Sequence, residues 1–183
     1  MDYSKLTLKS RLVVEIEDGQ EWRHHVADIY IDGRWLQDII REVELPFATA
    51  EGHPSLAASY QSFPLEDIAH PSRILFGDPS SCSLTLSYGD GWVSVLIGMC
   101  CFITACWPFH VQIEETDREV LWKDYTNIHR DDEKSRASQW NYDKMPRFVF
   151  DKKELTAEWL RFSEEVEWQI KKDDFHCYSR NDS

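Results

Sequence analysis

Phe109-His110-Val111-Gln112-Ile113-Glu114-Glu115, then Thr116-Asp117-Arg118, then Glu119-Val120-Leu121-Trp122-Lys123-Asp124-Tyr125 is the stretch that decides the fold. Apolar and polar residues alternate on both sides of a short polar connection, the period of two that marks paired, half-buried antiparallel strands. Before it, Trp92 to Met99 reads as a central strand rich in Val, Leu and Ile. Ser83 to Tyr88 alternates, and Asp90-Gly91 supplies the turn between those two. Four antiparallel strands in a meander follow from these signals.

Nearer the N-terminus, Leu6 to Glu17 alternates and is β-branched, and it ends at Asp18-Gly19, a dipeptide suited to a hairpin turn. A second strand is predicted through about Val26 to Ile31. Asp32 can cap a short helix whose apolar residues Leu36, Ile39, Ile40 and Val43 fall at i, i+3, i+4 and i+7, and Pro46 is predicted to end it. From Leu45 to Ser81 the prolines and glycines read as ordered loop, with Ala57, Tyr60 and Phe63 in a helical turn. Residues Ile128 to Gln139 are nearly all polar and read as a solvated loop. Asp151, with Glu154 three positions on, can cap a longer helix bearing Leu155, Trp159, Phe162, Val166 and Ile170 as an apolar stripe. The expected fold class is therefore α+β: one domain over residues 1–183, a mainly antiparallel sheet with a short N-terminal helix and a longer C-terminal helix packed on it, and a frayed tail at 173–183.

Composition narrows the function classes. With 183 residues and 42% hydrophobic content the chain can build one sizeable core, to which eight Trp, seven Tyr and nine Phe contribute heavily. The net charge of −13 argues against tracking phosphates and against anionic membranes, so neither nucleic acid nor a membrane is an expected partner. It suits steering toward a basic protein. The excess is spread, 15 acidic and 7 basic residues in 1–110 against 18 and 13 in 111–183, so no acidic tail explains it.

Met1-Asp2-Tyr3-Ser4 carries no basic-then-apolar leader, and a cytoplasmic location is expected. In that reducing compartment the five cysteines, Cys82, Cys100, Cys101, Cys106 and Cys177, are expected as thiols without a structural disulfide. Val93 to Phe109 lacks a formal charge, but Gly98, Thr104 and Pro108 make it a buried strand and turn rather than a membrane span.

Cys100, Cys101, Cys106 and His110 are zinc-type ligands close in sequence. Adjacent residues of a strand point to opposite faces, however, so at most one of Cys100 and Cys101 could join Cys106. No metal and no cofactor is expected. There is no Gly-x-Ser-x-Gly elbow and no glycine-rich phosphate cradle, which removes the common hydrolase and nucleotide-dependent classes. Asp124, His129 and Arg130 are polar groups set among aromatic residues. They read either as an ion-pair cluster that anchors a loop or as acid–base machinery beside Trp122 or Trp140.

Several segments together carry a resemblance. They are Ala27-Asp28-Ile29-Tyr30-Ile31-Asp32-Gly33 with Leu36, Glu44-Leu45-Pro46-Phe47-Ala48, Cys101 with Cys106-Trp107-Pro108, and Trp122 with His129-Arg130. Trp140-x-Tyr142 and Phe148-x-Phe150-Asp151 continue the series. Over roughly residues 26 to 156 the chain resembles a widespread bacterial family of uncharacterised proteins with a Cys-x-Cys-Gly/Gly-Cys-Trp-Pro segment. It departs from that pattern at Met99, Phe102 and Ile128.

It also resembles the small acidic immunity proteins of polymorphic toxin systems, including contact-dependent growth inhibition. That resemblance implies a binding protein rather than an enzyme, one that binds a cognate toxin domain, a basic nuclease, and occludes its active site or substrate surface. Contact residues expected on this reading are Glu114, Glu115, Asp117, Asp131, Asp132 and Glu133. The competing expectations are a small enzyme or ligand-binding domain using Asp124, His129 and Arg130, and a zinc-stabilised structural module.

Overall fold

The computed structural model describes residues 2–17, 19–78, 92–98, 107–130 and 139–178; for Glu15, Glu17, Trp22 and residues 170–178 it describes the backbone alone. The protein is α+β, built on two antiparallel sheets. Strands β1 (Leu6–Glu17) and β2 (Gln20–Ile31) form a long hairpin in unbroken register, from Leu6 opposite Ile31 to Glu17 opposite Gln20. The second strand thus begins six residues before Val26, because the register imposed by the turn at Gly19 extends β2 for the whole length of β1.

Asp32 and Gly33, at φ 52° and 79°, make a two-residue turn that folds β3 (Arg34–Trp35) back on β2. Asp32 therefore does not cap the helix; its carboxylate accepts the Lys5 N–H at 2.7 Å. Helix α1 (Leu36–Ala50) also runs four residues past Pro46. A proline in mid-helix strips the carbonyl four residues earlier of its partner. Here Glu42 and Pro46 both lie on the exposed face, where water can serve that carbonyl. Leu36, Ile39, Ile40 and Val43 are buried, as their spacing requires.

The segment after α1 is packed rather than loose. A 3-10 turn at Pro54–Leu56 leads into two two-residue strands, β4 (Tyr60–Gln61) and β5 (Phe63–Pro64), so Tyr60 and Phe63 are extended and not helical. β4 pairs with β6 (Trp92–Gly98), whereas β5 pairs with β2. Five consecutive residues thus stitch one sheet to the other, and between them the Ser62 hydroxyl donates to Asp28 at 2.6 Å. Helix α2 (Leu65–Ile68) and a second 3-10 turn, Ile74–Phe76, follow. Buried indoles hold this stretch: Trp122 Nε1–H donates to the Leu75 carbonyl at 3.1 Å, and Trp159 Nε1–H to that of Ile68 at 2.9 Å.

Gly77 ends the second turn at φ 88°, where an added Cβ would lie 3.0 Å from the Ile113 carbonyl oxygen. Gly77→Ala combines a left-handed backbone with a clash against a strand, and it is expected to cost about 1–3 kcal/mol, read from the midpoint of urea unfolding.

The second sheet has the order β4-β6-β7-β8-β9, with β7 (Phe109–Glu115), β8 (Glu119–Thr126) and β9 (Phe148–Asp151). The 109–125 hairpin forms as its alternation requires, and β9 lies on its far edge. The Ser83–Tyr88 strand of the expected meander lies outside the described residues. Asp124 is the extra residue of a β-bulge: Tyr125 stands opposite Val111 and Lys123 opposite Gln112, leaving Asp124 without a partner at φ 46°. That extra residue lets Trp122 and Tyr125 both turn inward.

Helix α3 (Lys152–Tyr178) starts where the cap was expected, with Asp151 Oδ1 accepting the N–H groups of Lys153 and Glu154 at 2.9 and 3.1 Å. Leu155, Trp159, Phe162 and Val166 are buried. The helix continues beyond Lys172 to Tyr178, since no Gly or Pro interrupts it. It also closes the free edge of β1 at one point: the Leu8 N–H donates to Glu158 and the Leu8 carbonyl accepts from Arg161, at 2.8 and 2.9 Å. Among the described residues, no helix is long and apolar enough to cross a membrane.

Candidate functional site

The polar residues of the core converge where the second half of α1 meets β4, the end of β8 and the Trp140–Tyr142 segment. At the centre is Glu44, fully buried on α1. Its Oε1 accepts from the hydroxyls of Tyr60 at 2.5 Å and Tyr142 at 2.8 Å, and its Oε2 accepts the Ala58 N–H at 2.6 Å. Burial raises the Glu44 pKa against the opposing pull of those three donors and of Arg130. Burial, the first cause at both phenols, is reinforced by Tyr142 and Glu44 at Tyr60 and by Glu44 at Tyr142, so both hydroxyls are pushed up, stay protonated and donate. Asn127, also fully buried, extends the network: its Nδ2 donates to the Tyr60 hydroxyl at 3.0 Å and its Oδ1 accepts the His129 N–H at 3.0 Å.

One turn further along the chain, Arg130 is buried between two indoles. Its guanidinium carbon lies 4.0 Å from the ring centre of Trp140 and 4.9 Å from that of Trp107. Its Nη1 donates to both carboxylate oxygens of Glu51, at 3.2 and 3.0 Å, and Trp140 Nε1–H donates to the same carboxylate at 2.8 Å. His129 is exposed and stacks against Trp107, with ring centres 5.4 Å apart and planes within 9°. Phe47 stacks on Trp140 at 6.4 Å.

Seven residues of the quoted segments, Glu44, Phe47, Trp107, His129, Arg130, Trp140 and Tyr142, thus belong to one contiguous cluster. Sequence reading missed Glu51 and Asn127. Glu51 sits at the C-cap of α1, where nothing local marks it out. Asn127 at a strand end is an ordinary turn signal.

Asp124 stands apart. Among the described residues it makes no ion pair with His129 or Arg130. It instead lines a shallow cavity of about 280 Å3 with Tyr125, Tyr142, Asp143, Met145 and Arg147. The carboxylate that partners Arg130 is Glu51.

Three of the expected contact residues, Glu114, Glu115 and Asp117, fall at one end of the β7–β8 hairpin. Glu114 pairs with Lys123 at 2.7 Å, and Glu115 with Arg73 at 2.7 Å and Lys152 at 3.0 Å. Burial works to raise the Glu115 pKa, but Lys152 and Arg73 outweigh it and hold the carboxyl below its ordinary value. Asp117 is exposed in the connecting turn. Asp131, Asp132 and Glu133 lie outside the described residues, as do Cys82, Cys100, Cys101 and Cys106. Among the described residues, no group of three His, Cys, Asp or Glu side chains is placed to hold a metal ion.

Compared with protein-family models, with curated proteins and with solved structures, the chain matches none.

Proposed function

We propose that the protein is an immunity protein: it binds a cognate bacterial toxin domain, a basic nuclease, and occludes its active site or nucleic-acid surface. Charge supports the electrostatic part of the reading. A body of net charge −13 attracts a protein rich in Lys and Arg and competes with the phosphates that such a protein binds. The observation that carries the reading is the clamp around Arg130. The acidic run Asp131-Asp132-Glu133 begins at the very next residue, and the chain is back at Trp140, on whose ring Arg130 stacks. An acidic segment whose two ends are tied to each other and to α1 through Glu51 gives up less freedom on binding than a free one. The buried carboxylate and phenols are taken up by internal partners, as is Nη1 of the guanidinium, which suits a rigid binding scaffold.

Co-expression with the product of the adjacent upstream reading frame tests this directly. A stable complex and rescued growth are expected; neither complex nor rescue removes the proposal. Charge reversal at Asp131, Asp132 and Glu133 is expected to slow association about tenfold at low salt and to flatten its salt dependence, measured by stopped-flow. An unchanged on-rate would assign binding to another face.

A further inference from the structure

We infer that β1 is a self-association edge, which joins two copies of this chain by antiparallel β1–β1 pairing across a twofold axis. The register of the hairpin sets which backbone groups are free. Leu8 turns its N–H and C=O away from β2, toward Glu158 and Arg161, so with no bulge in β1 the same orientation recurs at Ser10, Leu12, Val14 and Ile16. Those four residues present an outward backbone edge with no partner among the described residues. The side chains on the corresponding face are apolar and lie open to solvent: Leu12 is 45% exposed, Val14 48% and Ile16 77%. An uncovered apolar strand edge is a template for another strand.

The occupant follows from the order of charges along the strand. Lys9 and Arg11 precede Glu15 and Glu17, so β1 read against itself is self-complementary. The α3 contacts at Leu8 limit how far two strands can overlap. The longest pairing that stays clear of Leu8 runs from residue 9 to residue 17 and is centred on Val13. That same register sets Lys9 opposite Glu17, twice by symmetry, and the Glu15 position opposite Arg11, whose guanidinium also donates to the buried Asp28 carboxylate at 2.6 and 3.0 Å. It also sets Leu12 opposite Val14, which covers the exposed apolar ladder on both copies. Roughly eight new backbone hydrogen bonds close the two edges into one sheet. A foreign strand would satisfy the backbone, but only a second β1 supplies both halves of this charge pattern. The contact is small for an obligate dimer, so association in the micromolar range is expected.

Sedimentation of the full chain tests this. The wild-type mass should rise from the 21.6 kDa of one chain toward twice that with increasing concentration. Val14→Pro removes an outward N–H that β2 does not use, and it should raise the dissociation constant at least about tenfold. Lys9→Glu and Glu17→Lys, each alone, juxtapose like charges and should be monomeric. Mixing the two variants should restore a dimer containing one of each. A monomeric wild type at several hundred micromolar, a dimer indifferent to Val14→Pro, or a mixture no more associated than its parts would each overturn the assignment. Lys9 is an exposed strand position, so the outcome of the charge variants stands even where the proline variant fails to fold.

Discussion

Glu44→Ala is expected to cost about 3–5 kcal/mol of folding stability, among the largest effects of any single substitution in this protein. The change leaves the Tyr60 and Tyr142 hydroxyls and the Ala58 N–H facing a void in place of an acceptor. Each orphaned buried donor costs about 1–3 kcal/mol, partly relieved by local collapse. Urea unfolding monitored by tryptophan fluorescence measures the loss, and a cost below about 1 kcal/mol would show that water reaches the three donors.

Glu44→Gln probes the charge itself through pH. Because burial raises the folded pKa of Glu44 above its unfolded value, the native state holds more protons in the window between the two, and stability from this residue falls as pH rises through it. The contribution is fully present below the unfolded pKa and is lost by the time the pH has risen through the folded one. The stability advantage of wild type over Glu44→Gln should therefore be larger at acid pH than at neutral pH. Glu158 behaves oppositely. Burial works to raise its pKa, but Arg161 and the Leu8 N–H outweigh it, so its contribution is present above the unfolded pKa and is lost as pH falls through the folded one. Taking the difference between wild type and Glu44→Gln cancels that background. A difference that grows with pH would reverse the assignment for Glu44.

Arg130→Ala is expected to cost about 2–4 kcal/mol, and Arg130→Lys to recover less than half of it. The planar guanidinium lies between the rings of Trp107 and Trp140 while Nη1 engages both oxygens of Glu51. A lysine ammonium keeps the charge but not the flat surface that stacks on the two indoles. Among the described residues, removal leaves the Glu51 carboxylate with Trp140 Nε1–H as its side-chain donor and unties both ends of the acidic segment. Denaturant unfolding gives the stability change, and limited proteolysis of residues 131–138 should accelerate in the same order, wild type, Lys, Ala. Equal protection in all three would show that the segment does not depend on its clamp. On the immunity reading the alanine variant also weakens toxin binding through faster dissociation, although every acidic residue is retained.

Regular periodicity was readable wherever one face of an element is buried along its whole length. The alternation of Leu6–Glu17 and of Phe109–Tyr125, the α1 stripe and the Asp151 cap all appear as elements. Between α1 and β6 the chain is organised by partners distant in sequence. Tyr60 and Phe63 are extended because β6 and β2 offer edges, and the turns around Ile68 and Leu75 are held by indoles from α3 and β8. No local pattern encodes such partners. Pro46 was read as a stop because the rule is local, whereas its orientation toward solvent is set by packing on the opposite face of α1. The cluster was partly legible: aromatic and basic residues of the quoted segments meet, yet proximity in sequence put Asp124 with His129 and Arg130. The bulge isolates Asp124 from the ladder, and the carboxylate for Arg130 comes from the end of a helix 79 residues away.

The five-residue stitch from Tyr60 to Pro64 ties the breathing of the two sheets together. Opening β2 at Ala27 pulls Phe63 from its place, and Phe63 is two residues from the strand that protects Ile97. Partial opening of one sheet therefore exposes the seam of the other, with Tyr60 and the Glu44 network behind it. Sub-global fluctuations that would release a single sheet are penalised, and hydrogen exchange is expected to give the amides on both sides of the stitch one shared protection free energy, close to that of global unfolding.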